Sequence, residues 1–139
     1  MTVGARHFLK YKFPAIAWAV LIYILSSIPG AKLPRWNIMH FDKIIHTGFY
    51  FILGLFVYRF LEPKEHSALF NWRRAVASVA IVVVYGVFDE FHQSFVPGRM
   101  ADVLDATADT IGGLLSAMTM FVYTKVKLWK LNSRSIETV

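Results

Sequence analysis

Four apolar segments make up most of the chain, and this pattern limits what the chain can fold into. The first lies between Lys12 and Lys32, where 19 consecutive residues carry no charge. A helix needs about 20 mostly apolar residues to cross the hydrocarbon core of a bilayer. Because 56% of the residues are hydrophobic and only 17% are charged, the composition favours a membrane protein over a soluble domain.

The spacing of these segments predicts an all-α integral membrane bundle of four transmembrane helices, which forms a single domain over residues 1–139. The predicted spans are about 13–30, 43–61, 75–96 and 105–124, followed by a basic cytoplasmic tail at 125–139. The absence of cysteine excludes disulfide bonds and thiolate metal sites. Any polar chemistry must therefore come from other side chains.

The distribution of lysine and arginine predicts the orientation of the helices. In a four-span arrangement, 11 of the 15 basic residues fall on the side that carries both termini. Cytoplasmic loops of membrane proteins carry the excess of positive charge. Both termini are therefore expected in the cytoplasm, and the protein is expected to be a multi-pass component of the cell inner (cytoplasmic) membrane. The outer end should be acidic, since 6 of the 9 acidic residues lie toward it.

Two apolar runs are too short to cross a membrane unless their helices include acidic residues. Only 14 uncharged residues separate Arg74 from Asp89, and at about 1.5 Å per residue they cover about 21 Å of the roughly 30 Å required. The fourth run has 15 residues between Asp109 and Lys125. We therefore expect the third helix to continue through the acidic pair at 89–90 and the fourth to begin near Asp105. Ionisable groups then lie in the outer part of the bilayer.

These ionisable groups are expected to form one polar pocket. Charged side chains within a membrane normally face the bundle interior and find partners there. On the second helix the polar side chains recur every four residues, and on the fourth helix the small residues Gly112, Gly113 and Ser116 allow close packing. The loop SFVPGRMADV should cover the pocket. The predicted ligand-binding residues are Asp42, Lys43, His46, Tyr50, Asp89, Glu90, Gln93, Arg99, Asp105 and Asp109.

Three motif segments follow one another along the chain, namely DKIIHTGFYFILG, DEFHQSFVPGR and DATADTIGG. With SSIPG at residues 26–30, they resemble the VanZ-like family of small bacterial membrane proteins, and the resemblance covers about residues 13–124. Asp109 departs from the family pattern, in which asparagine is usual, and adds a carboxylate to the pocket. The resemblance implies a cell-envelope protein in a family named after an accessory protein of teicoplanin resistance, without an established biochemical activity.

Two functions from different classes remain open. The first is a non-enzymatic protein whose outward-facing pocket binds a lipid-linked or amphiphilic envelope ligand, with Lys43 and Arg99 meeting an anionic group. The second is a small intramembrane hydrolase or transferase that acts on a lipid-linked substrate. In it His46 or Glu90 serves as acid and base, with Asp89 as a further catalytic candidate. The acidic pair could also be a buried ion-pair network that fixes helix register.

No cofactor is expected, and no metal site is predicted because the chain has no metal motif of fixed spacing. Carboxylate and imidazole ligands do suit Mg, Mn or Zn. The alternative of a metal site therefore rests on residue type alone, for Asp42, His46, Asp89, Glu90 and Asp109. The expected partners are membrane lipids and a lipid-linked envelope ligand. Nucleic acid is not expected, because the basic residues do not form one stripe.

Overall fold

The structure is a computed structural model that describes residues 2–32, 41–62 and 70–137, with side chains up to residue 133. The described residues form four helices and no strand, which confirms the all-α prediction. The helices are α1 (Val3–Ser26), α2 (Phe41–Phe60), α3 (Trp72–Gln93) and α4 (Val103–Glu137), and a short 3-10 turn follows α1 at Gly30–Lys32.

Three of the four helices, α1, α2 and α3, are long and apolar enough to span a membrane. The chain is therefore a multi-pass membrane protein. The described helix α4 is not among these three, because it begins with Asp105 and Asp109 and its later turns carry Lys125, Lys127 and Lys130. Its role as a fourth span stays a prediction.

The helices extend furthest beyond the predicted spans at two places, the start of α1 and the end of α4. Helix α1 begins at Val3 and passes through a π-helical turn, Phe8–Lys12, just before Pro14. Proline lacks an N–H and crowds the preceding turn, so a locally wider helix suits this position. Helix α4 continues to Glu137 because the lysine-rich stretch contains no helix breaker. The segment 125–137 of the predicted tail is thus helical, and residues 138–139 lie outside the described part.

Helix α3 includes the acidic pair, as the length of its apolar run required. It starts after Asn71, whose side chain accepts a hydrogen bond from the Arg74 backbone N–H at 3.1 Å. It ends at Gln93, three residues before the predicted end, because the chain then turns through Gly98 with φ of 75°. Asp89, Glu90 and Gln93 therefore lie in the last turns of α3.

Helices α2 and α4 pack closely because glycines remove side chains from their interface. A Cβ atom at Gly112 would lie 2.5 Å from the Thr47 carbonyl oxygen of α2, and Gly54 of α2 contacts Ser116 of α4 directly. Gly113 packs in the same way against Val82 of α3. The predicted role of the small residues on the fourth helix is confirmed.

Among the described residues, most basic side chains lie at one end of the bundle and most acidic side chains at the other. Arg59 near the end of α2 lies over the Tyr11 ring of α1, and Arg74 at the start of α3 lies over the Tyr58 ring of α2. Lys43 and the acidic residues lie at the other ends of these helices. Arg35 and Lys64 also contribute to the charge count but lie outside the described residues.

Candidate functional site

The end of α1, the start of α2, the end of α3 and the start of α4 meet at one end of the bundle, which we call the polar end. The ten predicted ligand-binding residues all lie there. Nine of them lie in three groups, around Asp89, Lys43 and His46, and Tyr50 lines the cavity beside these groups.

The first group joins α1 to α3 through Asp89, which is only 2% exposed. Its Oδ2 atom accepts hydrogen bonds from the Ser26 hydroxyl at 2.8 Å and from the Gln93 amide at 3.1 Å. Both donors are neutral. Gln93 is oriented in turn by Arg99, which donates from Nη1 to Oε1 at 3.0 Å. The Asp-x-x-x-Gln spacing thus places carboxylate and amide on one helix face.

Arg99 fastens the α3–α4 loop to the end of α1. Its Nε donates to the Ile28 carbonyl and its Nη2 to the Leu25 carbonyl, each at 3.1 Å. Leu25 lies in the last turn of α1 and Ile28 follows it, at the helix end where carbonyls lack the usual helical partners. The Gly30 N–H also donates to the Pro97 carbonyl at 3.0 Å. Arg99 is therefore engaged by protein groups, in contrast to the expected contact with an anionic ligand group.

Lys43 is the centre of the second group. Its Nζ lies 2.5 Å from Asp102 Oδ2, 2.6 Å from Asp105 Oδ1 and 3.1 Å from Asp42 Oδ2. The hydrogen bond from Lys43 lowers the pKa of Asp102, which lies in the α3–α4 loop. Lys43 too is occupied within the protein, so neither predicted anion-binding cation is available without breaking existing bonds.

The third group contains His46, Glu90 and Asp109, from α2, α3 and α4 respectively. His46 Nδ1 lies 3.0 Å from Asp109 Oδ1, and its Nε2 lies 4.0 Å from Asp105 Oδ2. Glu90 Oε2 accepts from the Asp102 backbone N–H at 2.8 Å. One potential ligand atom from each of the three residues lies within 4.8 Å of the others.

A cavity of about 400 Å³ opens beside these groups, between α1, α2 and α3. It is lined by Ile22, Leu25, Ser26, Ile28, Asp42, Ile45, His46, Phe49, Tyr50, Asp89, Gln93 and Arg99. Its exposed surface is mainly apolar, and polar side chains including Asp89, His46 and Gln93 contribute the rest. The expected pocket between the second, third and fourth helices is thus displaced toward α1. Lys43, Glu90, Asp105 and Asp109 lie outside its lining.

Sequence reasoning did not select Ser26, Asp102 or His92 as site residues. Ser26 belongs to the SSIPG motif, which could have indicated it as a site residue. His92 lies 3.0 Å from the Ser27 hydroxyl and stacks on Tyr23. Nothing in the spacing of Asp102 indicates its bond to Lys43, because that contact joins a loop to a distant helix.

The fold and site define a multi-pass helical membrane protein with a buried polar network beside an amphipathic cavity. The chain belongs to the VanZ/LLP1 family, whose model matches residues 7–124. An uncharacterized protein of Schizosaccharomyces pombe is 28% identical over 120 residues, which cover 84% of this chain and 68% of the relative. No solved structure shows significant similarity to the chain. The family predicted from the three motifs is confirmed.

Proposed function

We propose that the protein binds a lipid-linked or other amphiphilic ligand of the cell envelope in the cavity between α1, α2 and α3. The observation that carries this proposal is the division of the cavity lining. Ile22, Leu25 and Phe49 offer apolar surface to an acyl or prenyl chain, and Asp89 and His46 offer polar atoms to a head group. A volume of about 400 Å³ lies within the ~300 to 1,000 Å³ of small-molecule sites.

The polar part of this ligand should donate hydrogen bonds. Arg99 and Lys43 are already bonded to protein acceptors, which disfavours an anionic group as the main anchor. Asp89 accepts from two neutral donors and retains acceptor capacity, since a carboxylate offers about four acceptor positions. Hydroxyl or amine groups, as on a lipid-linked sugar, fit this arrangement.

The binding proposal is tested by mass spectrometry of lipids that co-purify with the full-length protein in mild detergent. We expect Asp89→Asn to retain at most about one tenth of the ligand that wild type retains. The reason is that a hydrogen bond to a charged group contributes about 1.5 to 3 kcal/mol. Glu90→Gln is the matched control, since it removes the neighbouring carboxylate, which does not line the cavity.

Equal lipid content in wild type and Asp89→Asn would contradict the proposal. Loss of ligand from Glu90→Gln to the same extent would assign the effect to general disturbance of the polar end. Recovery of a chemically altered lipid with wild type alone would instead support the intramembrane enzyme.

We also propose that α4 is a fourth span, that both termini are cytoplasmic and that the protein lies in the cell inner membrane. The gathering of basic side chains at the end opposite the polar end supports this orientation. Single cysteines provide the test because the chain has none. A membrane-impermeant maleimide should label Met100→Cys in intact cells but label Lys127→Cys only after lysis. The reverse pattern would overturn the orientation.

An effect on teicoplanin susceptibility belongs to the same proposal. A lipoglycopeptide joins an acyl chain to a large polar body, and the acyl chain is the part that a cavity of about 400 Å³ could hold. Family membership supports this extension, which depends on ligand binding in the cavity.

A further inference from the structure

We propose that His46, Glu90 and Asp109 form a binding site for one divalent metal ion, of the Mn²⁺ or Zn²⁺ type. The three residues come from three different helices, yet their potential ligand atoms lie within 4.8 Å of one another. Two ligand atoms of a tetrahedral site lie about 3.6 Å apart when each bond is about 2.2 Å. Side-chain movements of about 1 Å would therefore close the site around an ion.

One buried polar atom of the cluster lacks a hydrogen bond. Asp109 is fully buried, and while its Oδ1 contacts His46, its Oδ2 makes no hydrogen bond. Leaving a buried acceptor unsatisfied costs about 1 to 3 kcal/mol, and more when it is charged. A metal ion, or a water molecule bound to it, would supply a partner to this oxygen.

The charges at the polar end also favour a bound metal ion. Four carboxylates are buried at the polar end, namely Asp89, Glu90, Asp105 and Asp109. Within the described ranges, only Lys43 and His46 form ion pairs with any of the four. Buried charges in proteins are paired or coordinate metals, because an unpaired charge is costly in a low-dielectric interior. A divalent cation would offset the remaining negative charge.

The donor set determines the class of metal. One imidazole with two carboxylates suits Mn²⁺ or Zn²⁺, whereas Ca²⁺ and Mg²⁺ favour all-oxygen sites. Asp105 Oδ2 lies 4.0 Å from His46 Nε2. At this position Asp105 can orient the imidazole ring of His46 or act as a further metal ligand. This site does not depend on the amphiphile proposal, and His46 alone belongs to both the cluster and the cavity lining.

The test uses full-length protein in detergent, stripped of metal with a chelator and titrated with MnCl₂ alone. The signal of free Mn²⁺ in electron paramagnetic resonance gives the bound fraction, and elemental analysis after ZnCl₂ loading gives the stoichiometry. We expect one ion per chain, and at least a tenfold higher Kd for Glu90→Gln and for Asp109→Asn. Asp102→Asn is the matched control, since its carboxylate lies at the same end of the bundle, belongs to neither the cluster nor the cavity lining and is 41% exposed.

Wild-type protein without saturable binding of either ion would overturn the proposal. Unchanged affinity in Glu90→Gln would also overturn it, as would an equal loss in Asp102→Asn, which would indicate unspecific attraction to acidic groups. If Asp109→Asn does not fold, as judged by circular dichroism and gel filtration, Glu90→Gln and His46→Gln decide the question. If the protein binds metal but no lipid is recovered with it, only the amphiphile proposal is refuted.

Discussion

Replacing Gly112 with alanine is expected to disrupt the packing of α2 on α4. The added methyl group would lie 2.5 Å from the Thr47 carbonyl oxygen and 2.8 Å from the Phe51 backbone nitrogen. Non-bonded carbon atoms prefer about 3.5 to 4.0 Å. Both neighbours are backbone atoms, which cannot rotate away, so the two helices must separate. Overpacking typically costs about 1 to 3 kcal/mol, and a backbone clash belongs at the upper end of that range.

The measurement for Gly112→Ala is the midpoint of thermal unfolding in detergent, which should fall on the order of 10 °C. Gly48→Ala is the matched control, because a Cβ at Gly48 on α2 would meet no atom within 4 Å. Alanine has a better helix propensity than glycine by about 1 kcal/mol, so this control should be neutral or slightly stabilising. Equal stability of the two variants would show that the interface is looser than the structure describes.

Replacing Lys43 with methionine should be the most damaging change at the polar end. It leaves Asp102 and Asp105 without the ammonium group that now lies 2.5 and 2.6 Å from them. Removing one partner of a buried pair costs about 3 to 5 kcal/mol. Because Asp102 is 41% exposed and only Asp105 is largely buried, we expect a smaller loss of about 1 to 2 kcal/mol, most of it from Asp105. Lys43→Arg keeps the charge and should recover part of the free energy of unfolding.

We also expect Lys43→Met to change how the stability of the protein depends on acid pH. Lys43 lowers the pKa of Asp102 below its ordinary 3.8, so the folded state holds this proton less tightly than the unfolded state. The contribution of Asp102 to stability is therefore complete above about pH 3.8 and is lost as the pH falls through the lowered pKa. Unfolding of Lys43→Met should depend less on pH in this range. Parallel pH profiles for wild type and variant would contradict the role assigned to Lys43.

Much of the architecture follows from counting residues. The 14 uncharged residues before Asp89 cannot cross a bilayer, and this shortage correctly placed the acidic pair inside α3. Helical periodicity also explains why Asp89 and Gln93 share a face. These deductions succeed because they depend on the length and geometry of a single helix.

Contacts between helices were harder to predict. Arg99 bonds to the backbone carbonyls of Leu25 and Ile28, and backbone acceptors have no signature in a sequence. Ser26 carries no charge, so neither the charge count nor the apolar run marked α1 as a wall of the cavity. The pairing of Lys43 with Asp102 depends on how three helices approach one another. A spacing pattern within one helix does not contain that information.

The meeting of Gly30 and Gly98 bears on how the cavity can change its size. Their backbones are in direct contact, and Arg99 adds two bonds to the same end of α1. The end of α1, the α3–α4 loop and the last turn of α3 should therefore move as one body. Widening the cavity then requires α2 to slide against that body. Helix α2 carries His46 and packs tightly on α4. A movement of α2 that widens the cavity should therefore also shift the residues of the acidic cluster.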